Sequence, residues 1–339
     1  MRKKTIFFTS LVLGATLFGF VSFYLGIWGG KDIISSSAPK QVVVSEGGQT
    51  AVAPLPSSPS KNQPANLPGG GTKVPDLTGA ITIVPSETDQ LGYARLSPQG
   101  LSVMEAGAKV LQLPDSGSFA VYWLPKEKKV DRLLVLLHGS GGTAYDEIGD
   151  ELAAAKENGY GLLALQWHVK SGDTYESGAE IYRNLSSLLD WLDRKESVQP
   201  KTRVLMGFSR GSAISFEVLS LDRSGRRFFT AAANLSGGIP SDAVANAQTS
   251  TRPDPFFVSL IVGQVAPDLY SGLRFYMYCG RMDEEWGPKM CDQMNYAQSL
   301  VVKYGAKVDT FVASETLGHR GLRADPVLHR AFVEWLLSL

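Results

Sequence analysis

Short apolar runs that alternate with helical patterns constrain this chain more than any other feature. Leu133–Leu137, Leu162–Trp167, Arg203–Phe208, Phe228–Leu235, Arg274–Cys279 and Val308–Ala313 all read as strands. Apolar runs with little polar alternation suit strands covered on both faces. Between them lie amphipathic stripes, such as Ile181, Leu185, Leu188, Leu189 and Leu192. A helix through Ile148, Leu152 and Ala155 is expected to stop at Gly159, and another begins near Pro288. The last helix has Asp325 as its cap and Pro326 in its first turn. The alternation predicts an α/β domain with a mostly parallel central sheet and helices on both faces. Residues 81–113 are expected to add antiparallel edge strands, and 240–270 to form a loop or a small cap over the site.

One junction in this series carries chemistry. Gly207-Phe208-Ser209-Arg210-Gly211 follows the strand Arg203–Phe208 and precedes a helix expected from about Ser212. A serine hydroxyl is a poor nucleophile at neutral pH, and it needs a base, a group that orients the base, and donors for an oxyanion. A tight strand-to-helix turn would expose the Ser209 oxygen, with small residues two positions to either side. His138-Gly139-Ser140-Gly141-Gly142 directly follows another strand, and its glycines let backbone N–H groups face a substrate. The expected oxyanion donors are the N–H groups of Arg210 and Ser140, with that of Gly141 as the alternative.

Asp283 lies just beyond the strand Arg274–Cys279 and is the expected acid, with Glu284 and Asp292 as competitors. His319, in Leu317-Gly318-His319-Arg320-Gly321, is the expected base. His168 and His329 are the alternatives. His329 falls off the apolar stripe of the last helix and reads as a surface residue. His138 reads as structural. Trp167 and His168, at a strand end, are possible substrate-lining residues. Two readings of Arg210 stay open: an ion pair within the fold, or contact with an acidic substrate group. His319 must be neutral to accept the serine proton, so acylation should accelerate as pH rises from the acid side.

The order Ser209, Asp283, His319, preceded by an HG-x-GG loop, resembles the α/β-hydrolase superfamily over roughly residues 119–339. Within it the chain is similar to single-domain serine esterases of the polyhydroxybutyrate-depolymerase-like and feruloyl-esterase-like kind. The resemblance implies a Ser-His-Asp triad that cleaves small-molecule or polymer esters through an acyl-enzyme. His319 would act as base and then acid, and Asp283 would fix its tautomer. A peptidase or acyltransferase would use the same groups. A tethered, non-catalytic binding module is the reading from outside enzymology.

Composition excludes other classes. Lys and Arg together number 33, as do Asp and Glu, and no basic block supports a nucleic-acid partner. Four His and two Cys without ligand spacing give no metal site, and no cofactor motif is present. Cys279 and Cys291 stand twelve apart, so either a disulfide or two buried thiols is open.

Ahead of the catalytic region, Arg2, Lys3 and Lys4 precede an uncharged stretch over 5–30. As a helix it would span about 39 Å at ~1.5 Å per residue, more than the ~30 Å of a bilayer core. Residues 1–32 are therefore expected to be a signal anchor that sends the rest of the chain across the membrane, with a cleaved signal peptide as the alternative. Residues 33–78 are rich in Ser, Pro and Gly and read as a flexible linker. The catalytic domain is expected over 79–339, outside the cytoplasm.

Overall fold

Side chains along each central strand divide between two cores. The computed structural model describes residues 82–83, 94–95, 97–113, 118–126, 129–168, 175–244 and 255–339. The expected anchor and linker, residues 1–78, lie outside them. Every described residue belongs to one compact unit within 43–339. Among the described residues no helix is long and apolar enough to cross a membrane.

Among the described residues nine strands form one sheet: β1 (Thr82–Ile83), β2 (Lys109–Gln112), β3 (Phe119–Trp123), β4 (Arg132–Leu137), β5 (Gly161–Gln166), β6 (Thr202–Phe208), β7 (Ala231–Leu235), β8 (Arg274–Gly280) and β9 (Lys307–Ser314). Their order is β1-β2-β3-β5-β4-β6-β7-β8-β9. The strands β1, β2 and β3 pair antiparallel, and β3 pairs antiparallel with β5. From β5 through β9 every pairing is parallel. The expected parallel core with antiparallel strands at one edge is what forms.

Eight helices have both ends among the described residues: α1 (Gly100–Glu105), α2 (Ala144–Asn158), α3 (Gly178–Lys195), α4 (Arg210–Ser224), α5 (Pro255–Val262), α6 (Lys289–Lys303), α7 (Gly321–Ala324) and α8 (Pro326–Ser338). Leu133, Val135 and Leu137 of β4 join a core with α3, α4 and α6. Leu134 and Leu136, pointing the other way, join a second core with α2 and α8. This two-residue alternation buries β4 on both faces, which is why its sequence is apolar throughout.

Local signals set most helix ends. Thr143 and Asp146 form a reciprocal capping box on α2, and Gly159 ends that helix in the left-handed region at φ 73°. Asp325 accepts from the N–H groups of Val327 and Leu328 at the start of α8. Two boundaries differ from expectation. The strand expected from Phe228 begins at Ala231, because the buried Asp222 carboxylate takes the Phe228 and Phe229 N–H groups at 2.9 and 3.1 Å. The segment expected to cap the site contains α5, whose Phe257 and Leu260 are buried in the core shared with α3, α4 and α6. The Leu260 carbonyl accepts from Tyr304 Oη at 2.7 Å, at the amino end of β9. The described part of that segment thus packs on the sheet's flank, and 245–254 lie outside the described residues.

Candidate active site

Register aligns the ends of the central strands. Leu137 pairs with Gly207, so β4 and β6 stop level and their following loops lie side by side. Leu235 of β7 pairs with Phe208 on one side and Tyr278 on the other. Ser209, the 138–142 loop, Asp283 and His319 all follow the carboxyl ends of parallel strands, where ligands bind in open α/β sheets.

Ser209 is both the turn and the N-cap of α4, with φ 53° and ψ −120°. That conformation is strained for a residue with a side chain, and such strain gathers at functional sites. The helix starts at Arg210 rather than Ser212, because the turn itself supplies the cap. The two flanking glycines are required by close approach. A Cβ on Gly207 would lie 2.3 Å from the Gly211 carbonyl oxygen, and one on Gly211 would lie 2.2 Å from that of Leu137.

Asp283 and His319 are in contact. Asp283 Oδ2 lies 2.5 Å from His319 Nδ1. Its Oδ1 accepts from the N–H groups of Glu285 and Trp286 at 2.9 and 2.8 Å. Three contacts on one carboxylate fix its orientation. The His319 ring packs edge-on against Phe208, the residue before Ser209, with centroids 5.0 Å apart. Nε2, on the far side of the ring from Asp283, is buried and has no hydrogen-bond partner among the described residues. Among the described residues no hydrogen bond joins it to Ser209. Catalytic hydrogen bonds are often long in the free enzyme.

The competing carboxylates do other work. Glu284 accepts from the main-chain N–H of His319 at 3.0 Å, which holds its carboxyl below the usual range. Asp292 is an exposed residue of α6. Cys279, in β8, is disulfide-bonded to Cys291, in α6, so the bond closes the loop that carries Asp283.

Around the 138–142 loop the expected donors separate. A Cβ on Gly139 would lie 2.9 Å from Ser209 Cβ, so the loop lies against the nucleophile. Arg210 is the first residue of α4, and its N–H has no intrahelical acceptor. Ser140 is exposed, and its N–H makes no hydrogen bond among the described residues. The Gly141 N–H donates to Tyr175 Oη at 3.0 Å. It is already engaged, which removes it from the expected donors in this state.

Solved structures of similar fold include two with TM-scores of one half or just above. An arylesterase matches at TM-score 0.51 and 12% identity, over 75% of this chain and 92% of that one. A truncated carbohydrate esterase from gut microbiota matches at 0.50 and 15%, over 65% and 90%. The chain has the α/β-hydrolase fold. At these identities the likeness is one of fold. No protein-family model matches the chain, and no curated protein matches it in sequence.

Within this α/β-hydrolase fold the remaining histidines sort by contact. His138 is fully buried, its Nδ1 2.8 Å from the Gly139 carbonyl and its Nε2 3.4 Å from the Trp167 N–H. A carbonyl only accepts and an N–H only donates, so the proton sits on Nδ1. Burial pushes this imidazole down to about 4. It is a neutral strut under the loop, as expected. His329 differs from expectation: it is half-buried on α8, with Nε2 3.1 Å from Glu151 Oε2. It belongs to a cluster in which the buried Arg323 meets Glu147 and, at 3.0 Å, Asp150. Arg320 also reaches Asp150, at 2.6 Å. These ion pairs tie the segment just after His319 to α2.

The lining role expected of Trp167 needs correction. Its ring is 1% exposed, held between His138 and Tyr175 at 5.3 and 4.9 Å. It supports the rim from beneath. His168 is half-buried and stacks on Tyr175 at 4.3 Å. Arg210 makes no ion pair among the described residues; its guanidinium lies 4.1 Å from the centre of the Tyr175 ring. Tyr175 therefore meets the loop, His168 and Arg210 together.

Sequence reasoning missed Tyr175 as a site residue, and it missed Ser236. Ser236 follows β7 at φ 51°, is fully buried, and donates its hydroxyl to the His319 carbonyl at 2.7 Å. Its only sequence signal was its place in Ser236-Gly237-Gly238, at a strand end.

Proposed function

We propose that this chain is a serine hydrolase that cleaves carboxylic esters through an acyl-enzyme. The observation that carries the reading is the Asp283–His319 pair packed on Phe208, beside the strained turn at Ser209. In this mechanism Ser209 Oγ attacks the ester carbonyl while His319 Nε2 takes its proton. The carbonyl oxygen gains charge facing the N–H groups of Arg210 and Ser140. Collapse expels the alcohol, which receives the proton from His319. Water then attacks the acyl carbon as His319 removes its proton; collapse breaks the bond to Ser209 Oγ, which takes that proton back from His319, and the acid product leaves. Asp283 holds Nδ1–H throughout, so that Nε2 is the basic nitrogen. The arylesterase and the carbohydrate esterase of similar fold are named for ester hydrolysis, which agrees with this chemistry.

A fluorophosphonate probe tests it. Labelling of the folded protein, abolished in Ser209→Ala and His319→Gln, supports the mechanism. Folded wild type that stays unlabelled and leaves short 4-nitrophenyl esters intact overturns it.

We further propose that residues 1–32 anchor the catalytic domain, residues 79–339, outside the cytoplasm, with 33–78 as the linker. The apolar stretch supports this, and so does the Cys279–Cys291 disulfide, a bond that persists in oxidising compartments. Protease treatment of intact cells should remove the catalytic domain from the membrane fraction. Recovery of the whole protein, uncleaved, from the cytosolic fraction would overturn it.

A further inference from the structure

One exposed charge beside the nucleophile, that of Arg210, is unspent. Arg203, Arg226, Arg274, Arg281 and Arg323 each meet a carboxylate. Arg210 is exposed and has neither an ion pair nor a side-chain hydrogen bond among the described residues. Its guanidinium rests 4.1 Å from the Tyr175 ring centre. Stacking on an aromatic ring occupies a guanidinium's face and leaves its N–H edges open, in the fork that matches a carboxylate.

The platform under it is tied into the site by several contacts. Tyr175 Oη holds the Gly141 N–H, so the ring is joined to the 138–142 loop. Tyr175 bridges His168 and stacks on it. The next residue, Glu176, donates its N–H to the Trp167 carbonyl at 3.1 Å. Its carboxylate accepts from Asn184 Nδ2 at 3.1 and 3.0 Å and from Ser118 Oγ. The cation thus rests one residue from the nucleophile and beside the loop that would face an ester oxygen.

We propose that Arg210, seated on Tyr175, is a specificity-determining residue that selects esters carrying a carboxylate near the scissile bond. The proposal deepens the esterase reading and rests on it for the word ester. The carboxylate can sit on either side of that bond, and the two sides present the same chemistry to the guanidinium. Because the group is solvent-exposed, the preference should shrink as salt is raised.

Two matched pairs separate the sides. Monobenzyl glutarate against benzyl methyl glutarate places the charge on the acyl side. 4-Acetoxybenzoate against its methyl ester places it on the alcohol side. In the Ser209→Ala protein, the anionic member of one pair should bind about tenfold more tightly than its neutral partner, the scale of one charge-assisted contact. Adding Arg210→Gln should bring that ratio to about one, and Arg210→Lys should leave part of it. In the protein with Ser209 intact, the kcat/KM ratio should follow the same order. Equal binding within both pairs, or a preference that survives Arg210→Gln, overturns the subsite. Binding is read without turnover, so this result is independent of fluorophosphonate labelling, which tests the esterase reading alone.

Discussion

Ser236 Oγ–H donates to the main-chain carbonyl of His319 at 2.7 Å, across 83 positions of sequence. The bond pins the imidazole's backbone from below, while Glu284 accepts from the N–H of the same residue at 3.0 Å. Ser236→Ala leaves a buried carbonyl without its donor, a change worth about 1–3 kcal/mol. We expect kcat on a 4-nitrophenyl ester to fall roughly tenfold, with KM within about twofold. The labelling rate at Ser209 should fall in parallel. Loss of melting temperature with unchanged kcat would make Ser236 a packing residue only.

Asp283 and Glu284 are adjacent in sequence, yet they hold different atoms of His319. Asp283 faces the ring nitrogen and Glu284 faces the backbone. In Asp283→Asn an amide N–H would point at Nδ1 and force the proton to Nε2, the wrong tautomer for a base. The expected loss in kcat is on the order of 10³–10⁴. In Glu284→Gln the amide oxygen can still accept from the His319 N–H, so kcat should stay within roughly threefold. Similar losses in both variants would mean that the acid's role is shared.

The features legible in the sequence are those written locally. The strand Thr202–Phe208, the glycines around Ser209 and the cap at Asp325 depend on neighbours along the chain. The places of Ser209, Asp283 and His319 are local in the same sense, because each residue follows its own strand. Tyr175 and Ser236 were missed because their meaning lies in contacts 34 and 83 positions away, with Gly141 and His319. His329 was misread for the same reason. Helical periodicity puts it off the stripe of α8, but its partner Glu151 is 178 positions away on α2. Gly141 looked like a free donor because nothing in the loop foretells the tyrosine that takes its N–H.

The Cys279–Cys291 disulfide closes a loop over a sequence separation of twelve, with Asp283 inside it. A loop of about 15 residues is stabilised by ~3 kcal/mol on the chain-entropy account. The Cys279→Ala/Cys291→Ala protein should therefore melt roughly 6–12 °C lower, at ~2–4 °C per kcal/mol. Its kcat should fall as well, because the acid loop is freer to move. Reductant should reproduce both effects in the wild type and leave the double variant unchanged. A wild type indifferent to reductant, with the bond shown to be open, would overturn the link between disulfide and acid.

Acid should unfold this domain partly through His138. Burial holds its folded-state value at about 4, against ~6.5 for an unfolded histidine. Below about 6.5 the unfolded chain binds a proton that the folded chain refuses until pH 4. Stability from this group is therefore present at neutral pH and lost as pH falls through that window, about 2–3 kcal/mol by pH 4.5. His329 has the opposite sign. Its hydrogen bond to Glu151 raises its folded-state value above the unfolded one. The stability it adds is complete at low pH and fades as pH rises past its folded-state value. Urea unfolding at pH 4.5 and 7.5 separates the two. The loss of stability between those pH values should narrow by about 2–3 kcal/mol in His138→Gln, whose amide can still pair within the loop. It should widen in His329→Gln. A His138→Gln protein with the wild-type acid dependence would mean that the buried imidazole gains a proton in the folded state as readily as in the unfolded one, and that its strut between Gly139 and Trp167 does not require the neutral form.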